Sequence, residues 1–171
     1  MIITITGLPG SGKTTIAKEL ARHLHIKHYS MGELVRKIAR RKKISVLQLT
    51  KKNNKLADEM DRLQKEIAKT HRDAIIDSRL GAYLIKNARA KIYIHAPLKT
   101  RVTRISERDR ISYKEAMHQT LAREREELGH YKKEYNIDYR NKNLYNISLN
   151  TDKLKVEQAT KKLINEINGL K

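Results

Sequence analysis

The sequence predicts an α/β fold: a doubly wound, five-stranded parallel sheet with helices on both faces. Three observations carry that prediction. A short β-branched apolar run, Ile2 to Thr6, passes through a glycine-rich loop into a helix-periodic segment. Short apolar runs then alternate with helix-periodic segments in the order βαβαβαβαβα. The run Ala74 to Asp77 ends in a carboxylate, at the strand end where open α/β sheets bind ligands.

Gly7 to Thr14 spell G-x-x-x-x-G-K-T, the Walker A phosphate loop, which makes the fold class P-loop NTPase-type. Gly7, Gly10 and Gly12 are expected to take backbone angles closed to other residues, turning successive amides inward around a phosphate. Ile16, Leu20 and Leu24 share one face of the next helix, whose positive end points at the same anion. Lys13 supplies a mobile charge for the β- and γ-phosphates, and the Thr14 hydroxyl is placed to ligate Mg²⁺. The chain is expected to bind a nucleoside triphosphate.

A second strand, Ile26 to Tyr29, ends at Ser30. Met31-Gly32-Glu33 opens a helix with Leu34 and Ile38 inward and Arg36, Lys37, Arg40 and Arg41 outward. Arg36 follows a strand end that faces the nucleotide, so it is either solvated surface or a contact to an anionic substrate. Ser45 to Lys55 read as a small helical excursion. Leu56, Met60, Leu63 and Ile67 then form a core stripe, with Asp61 and Gln64 as polar groups near its edge. Asp77 reads as the Walker B carboxylate that holds the hydration shell of Mg²⁺. Arg79 follows at the same strand end, a candidate for a phosphate or base contact.

Lys91 to His95 are the fourth strand, and Pro97 opens the helix that carries Arg101, Arg104, Arg108 and Arg110. Ser112 and Glu115 form a capping box for a further helix that carries Arg123 to Glu127. Arginines on both sides of a short break suggest either a lid, whose guanidinium groups neutralise charge on a transferred phosphoryl group, or a pair of salt-laced surface helices. Leu144 to Leu149 alternate as the fifth strand. Thr151 or Asp152 caps the last helix, with Val156, Ala159, Leu163 and Ile167 inward.

The 171 residues suit one domain, and the absence of cysteine excludes disulfides, thiolate metal sites and cysteine nucleophiles. Ile2 already begins a strand, which leaves no room for a signal peptide, and no apolar run approaches the ~20 residues of a membrane span. A soluble, cytoplasmic monomer is expected. The formal net charge of +19 favours polyanionic partners, either nucleotides or RNA, or is a solvated basic surface. Without Phe or Trp, stacking on single-stranded bases would fall to Tyr and His.

At Gly7-Leu8-Pro9-Gly10-Ser11-Gly12-Lys13-Thr14-Thr15 the chain resembles the nucleoside monophosphate kinases. Tyr29 to Arg36, Asp61 to Ala68, Asp77 to Ala82, Ala96-Pro97-Leu98, Arg123-Glu124, Tyr131 to Asp138 and Leu149-Asn150-Thr151 are similar to the archaeal-type cytidylate kinases. The resemblance implies that Gly7, Leu8, Pro9, Gly10, Ser11, Gly12, Lys13, Thr14 and Thr15 hold ATP, with Mg²⁺ at Thr14 and Asp77. It implies that Ser30, Arg36 and Arg79 face the monophosphate, with Asp61 and Gln64 nearby. Arg104, Arg108 or Arg110, together with Arg123, would supply the lid charges, so Lys13, Arg104, Arg110 and Arg123 are the candidate catalytic set. It further implies one domain over 1–171, with an acceptor-binding insertion at about 31–70 and a lid at about 104–125.

The chain departs from that pattern at Ser78, where Asp-Gly-Arg or Glu-Gly-Arg is expected, and at Leu63 and His130, where arginines are expected. The reaction implied is phosphorylation of CMP or dCMP by ATP. The alternatives are another acceptor, such as AMP or a small alcohol, and an ATP-dependent RNA- or ribosome-binding factor.

Overall fold

The computed structural model describes residues 1–46, 48–49 and 55–170. Five parallel strands form one sheet in the order β2-β3-β1-β4-β5: β1 (Ile2–Thr6), β2 (Lys27–Ser30), β3 (Ala74–Asp77), β4 (Ala90–His95) and β5 (Ile147–Asn150). The register aligns Ile5 with Asp77, Thr6 with Tyr93 and Ser30 with Asp77. The carboxyl ends of the central strands therefore share one edge. The segments that leave the neighbouring strands β1 and β3 pack on opposite faces of the sheet, and ligands bind outside such a switch point.

One face of the sheet is covered by α1 (Lys13–Leu24) and α7 (Val156–Gly169). Ile3, Ile5, Ile92, Ile94 and Leu149 meet Ile16, Leu20, Ala159, Leu163 and Ile167 there in a single buried cluster. Alternation along the strands sends Thr4 and Thr6, Ala74 and Ile76 to the opposite face. Part of that face packs against α2 (Met31–Arg41) and α3 (Leu56–Thr70) through Met31 and Ile67. A one-turn helix α4 (Gly81–Leu84), which the sequence does not announce, follows β3 directly. Beyond β4 come α5 (Leu98–Asp109) and the 23-residue α6 (Tyr113–Tyr135).

Several boundaries differ from expectation. The fifth strand starts at Ile147, because Leu144 closes a 3₁₀ turn over Lys142–Leu144 that the Asn141 side chain caps. The last helix is capped at Lys155, whose N–H is bonded by the Gln158 side chain at 2.9 Å. Thr151 and Asp152 are already committed, the first to the Ser11 carbonyl at 2.8 Å and the second to the Thr100 hydroxyl. Of the capping box at Ser112, the Ser112 Oγ half forms, accepting from the Glu115 N–H at 3.1 Å, while the Glu115 carboxylate binds Gln119. In the expected excursion at 45–55, Ser45 and Gln48 cap each other and Leu49 is buried; residues 47 and 50–54 lie outside the described residues.

Candidate active site

The phosphate loop connects β1 to α1 as its sequence requires. Gly10 and Gly12 have φ values of 77° and 87°, in the left-handed region where a side chain is strained. Gly7 is a glycine for a different reason. Its φ is not positive, but a Cβ there would stand 2.1 Å from the Ile94 carbonyl oxygen. The loop is braced from behind by Arg101, which is 4% exposed and donates to the carbonyls of Ala96 and Pro9 at 3.1 Å and to Glu124. Arg101 thus holds the loop's shape.

In front of the loop lies a cavity of about 1160 Å³. Its walls bring together Pro9, Gly10, Gly12, Lys13, Thr14 and Thr15 from the loop, Arg36 from α2, and Asp61 and Gln64 from α3. Asp77 and Arg79 reach it from the end of β3, and Arg104 and Arg123 from α5 and α6. Other expected residues stand outside that lining. Gly7 gives its carbonyl to Arg79 at 2.6 Å, Leu8 packs near Leu80 and Tyr139, and Ser11 is fully buried. Ser30 caps α2 and donates to Asp77 Oδ2 at 2.9 Å. Arg110 takes a left-handed turn at the end of α5, is exposed, and does not line the cavity.

The electrostatics of the cavity rest on a few buried groups. Burial first, and the Arg79 guanidinium next, push the Lys13 ammonium down to about 7. Thr14 Oγ1 donates to Asp77 Oδ2 at 2.5 Å, whereas Asp77 Oδ1 is buried with no hydrogen-bond partner among the described residues. Arg79 is not a free cation: it donates to Glu127 Oε2 at 2.7 Å as well as to Gly7. Arg123, one helical turn before Glu127, donates to Glu127 Oε1 at 2.7 Å. Burial alone would raise the Glu127 carboxyl, but Arg79 and Arg123 overcome it and hold it at about 2. Arg104 is clamped by Thr151, through the hydroxyl at 3.1 Å and the carbonyl at 2.9 Å. Arg36 has no ion-pair partner among the described residues, and burial lowers its guanidinium, followed by Arg108 and Arg123 nearby. Lys13, Arg36, Arg79, Arg104 and Arg123 thus line one cavity together with the carboxylates of Asp61, Asp77 and Glu127.

Residues 2–153 match a family described as the cytidylate kinase-like family. The chain belongs to that family. It is 35% identical over 165 residues to a protein named cytidylate kinase from Sulfurisphaera tokodaii, covering 94% of this chain and 92% of the relative. A cytidylate kinase from Methanocaldococcus jannaschii is 34% identical over 178 residues, covering 100% and 99%. Among solved structures, an uncharacterized protein from Eubacterium ventriosum superposes with a TM-score of 0.76 at 22% identity, covering 99% of each chain. Shikimate kinase from Acinetobacter baumannii superposes with a TM-score of 0.66 at 15% identity, covering 99% of this chain and 95% of that one. These two show the fold alone, a five-stranded parallel sheet between helices.

In this cytidylate kinase-like chain Glu127, Thr151 and Ser78 make bonds at the cavity that the sequence did not reveal. Glu127 is the hub for Arg79 and Arg123. Its i, i+4 spacing from Arg123 was a visible signal, but its pairing with Arg79 spans 48 positions and was not. Thr151 ties Arg104 to the loop carbonyl of Ser11. Ser78, the departure at the end of β3, donates to Gln64 Oε1 at 2.6 Å, so the site accommodates the hydroxyl by pairing it.

Proposed function

We propose that this protein transfers the γ-phosphoryl group of ATP to the phosphate of CMP or dCMP. The observation that carries the reading is the meeting, in one cavity, of the phosphate-loop residues Gly10, Gly12, Lys13 and Thr14 with arginines from three parts of the fold: Arg36, Arg79 and Arg123. A donor polyphosphate on the loop and an acceptor monophosphate among the arginines would lie face to face. No general base is required, because a phosphate oxygen is already a competent nucleophile at neutral pH. Catalysis is then positioning and neutralisation of charge by Lys13 and Arg123, with Arg36 and Arg79 seating the acceptor. Arg104, with Leu154 and Val156 on the same cavity wall, suits a seat for the donor base better than a contact to the transferred group, because Thr151 fixes it beside the loop. The cytosine reading draws on the relatives named cytidylate kinase.

The residues present fit Mg²⁺. Thr14 and Asp77 offer hard oxygen ligands beside the loop, and the unpartnered Asp77 Oδ1 is the atom that such a cation or its water would satisfy. Bound there, the ion would neutralise charge on the β- and γ-phosphates. We further infer one domain, in which about 31–70 is the acceptor-binding insertion and about 104–125 is the lid. Among the described residues no helix is long and apolar enough to cross a membrane.

A steady-state panel of acceptors with ATP, following ADP release, tests the reading. CMP is expected to turn over faster than UMP, AMP or shikimate; equal rates for CMP, UMP and AMP would sink the assignment of the base.

Proton linkage gives a second test. Lys13 has an ordinary value of 10.5 and about 7 in the folded chain, so between those values the folded state binds fewer protons than the unfolded state. Its contribution to stability therefore rises with pH across that window. A bound polyphosphate restores the charged form, so ATP binding near pH 8.5 is expected to take up about one proton, and near pH 6 none through Lys13. Calorimetry in buffers of different ionisation enthalpy measures this. Uptake near pH 8.5 that persists in Lys13→Ala would assign it elsewhere.

A further inference from the structure

Four side chains from three elements form an unbroken polar chain along the acceptor side of the cavity. Ser78 Oγ lies 2.6 Å from Gln64 Oε1, Gln64 Nε2 lies 2.9 Å from Asp61 Oδ1, and the Tyr135 hydroxyl donates to Asp61 Oδ2. An ionised carboxylate can only accept, so its polarity propagates along the chain. Asp61 requires the amide nitrogen of Gln64 to face it. That turns Oε1 toward Ser78 and makes the Ser78 hydroxyl a donor. Tyr135 keeps its proton, since burial and then the bond to Asp61 raise its phenol, and it donates from the other side. Burial also raises the Asp61 carboxyl, and the bonds from Tyr135 and Gln64 oppose that rise.

The arrangement is packed as well as bonded. Gln64 is 2% exposed and Ser78 is 5% exposed, and both line the cavity with Asp61, whereas Tyr135 does not. A Cβ at position 81 would stand 2.8 Å from Ser78 Oγ, so Gly81 leaves the space that the hydroxyl occupies. A glycine at position 78 would leave Gln64 Oε1 buried without its donor, at the cost of an unmet acceptor.

We propose that Ser78 and Tyr135 clamp the hydrogen-bonding polarity of Gln64 and Asp61, so that the acceptor pocket selects a base offering an exocyclic amine over one offering a carbonyl at the same edge. The inference rests on the acceptor being a nucleoside monophosphate, as proposed above. Two donors already occupy Asp61, one on each oxygen, and the carboxylate, which lines the cavity, keeps further accepting capacity. An amine donates to it. A keto oxygen in the same place sets two acceptors against each other, and the fixed Gln64 amide cannot flip to relieve the conflict. Ser78 and Tyr135 are positioning residues in this scheme.

The test is the ratio of kcat/KM for CMP to that for UMP, measured in the wild type, Ser78→Ala, Tyr135→Phe and Asp61→Asn. Both acceptors are assayed on one preparation, so a loss of folded protein cancels from the ratio. The wild type is expected to prefer CMP. Ser78→Ala and Tyr135→Phe are each expected to lower the ratio about tenfold, with most of the change in KM for CMP, and Asp61→Asn to bring it near unity. A wild type that prefers CMP beside two clamp variants within about twofold of its ratio would overturn the clamp and leave the proposed function standing. A wild type without preference for CMP would overturn both.

Discussion

Replacing Lys13 by alanine is expected to slow phosphoryl transfer about a thousandfold, a loss of about 4 kcal/mol of transition-state stabilisation. Lys13 lines the cavity from the phosphate loop, and its cationic neighbours Arg79 and Arg123 are held by Glu127, so neither is free to take its place. The same change is expected to leave the fold intact. In the empty protein the ammonium is desolvated and stands beside Arg79, which is why it is pushed down to about 7. Removing it relieves that conflict, so the melting temperature is expected to hold or rise, most visibly below about pH 7. Rate and stability thus move in different directions, a pattern that general unfolding does not produce. Wild-type and variant rates within about tenfold, on folded protein, would contradict the role of Lys13 in transfer.

Replacing Glu127 by alanine is expected to do the opposite first and the same second. Its carboxylate joins Arg79, which is 9% exposed, to Arg123, and removing it leaves two guanidinium groups in a confined space without a counter-charge. Breaking such a pair costs about 3–5 kcal/mol, which for a chain of this size lowers Tm by roughly 10 °C or more. Activity is expected to fall as well, because Arg79 and Arg123 lose the group that aims them into the cavity. The pH dependence follows from the carboxyl being held at about 2 against an ordinary value of 4.5. Its contribution is present above 4.5 and is lost as pH falls through about 2. The stability of Glu127→Ala is therefore expected to fall less steeply than that of wild type over that acid window. Thermal melts at several pH values measure both effects, and a Tm within about 2 °C of wild type at neutral pH would remove Glu127 from the centre of the site.

Local signals decided how much could be read in advance. The phosphate loop, the Asp77 strand end and the stripe Leu56, Met60, Leu63 and Ile67 each depend on neighbours within a few positions, and the structure places all of them as their spacing demands. Reading failed where distant groups compete for one side chain. Thr151 has the residue type of a helix cap, but the Ser11 carbonyl, 140 positions away, takes its hydroxyl.

The sequence by itself determined the parallel α/β architecture and the glycine-rich turn from β1 into α1, because strand runs, glycine spacing and helix periodicity are local signals. Tertiary structure alone decided which arginines enter the cavity, that Glu127 holds two of them, and that Ser78 and Tyr135 orient Gln64 and Asp61. Those assignments depend on distances between elements far apart in the chain. A buried charge or amide takes whichever partner the fold brings within about 3 Å, and no pattern of neighbouring residues encodes that choice.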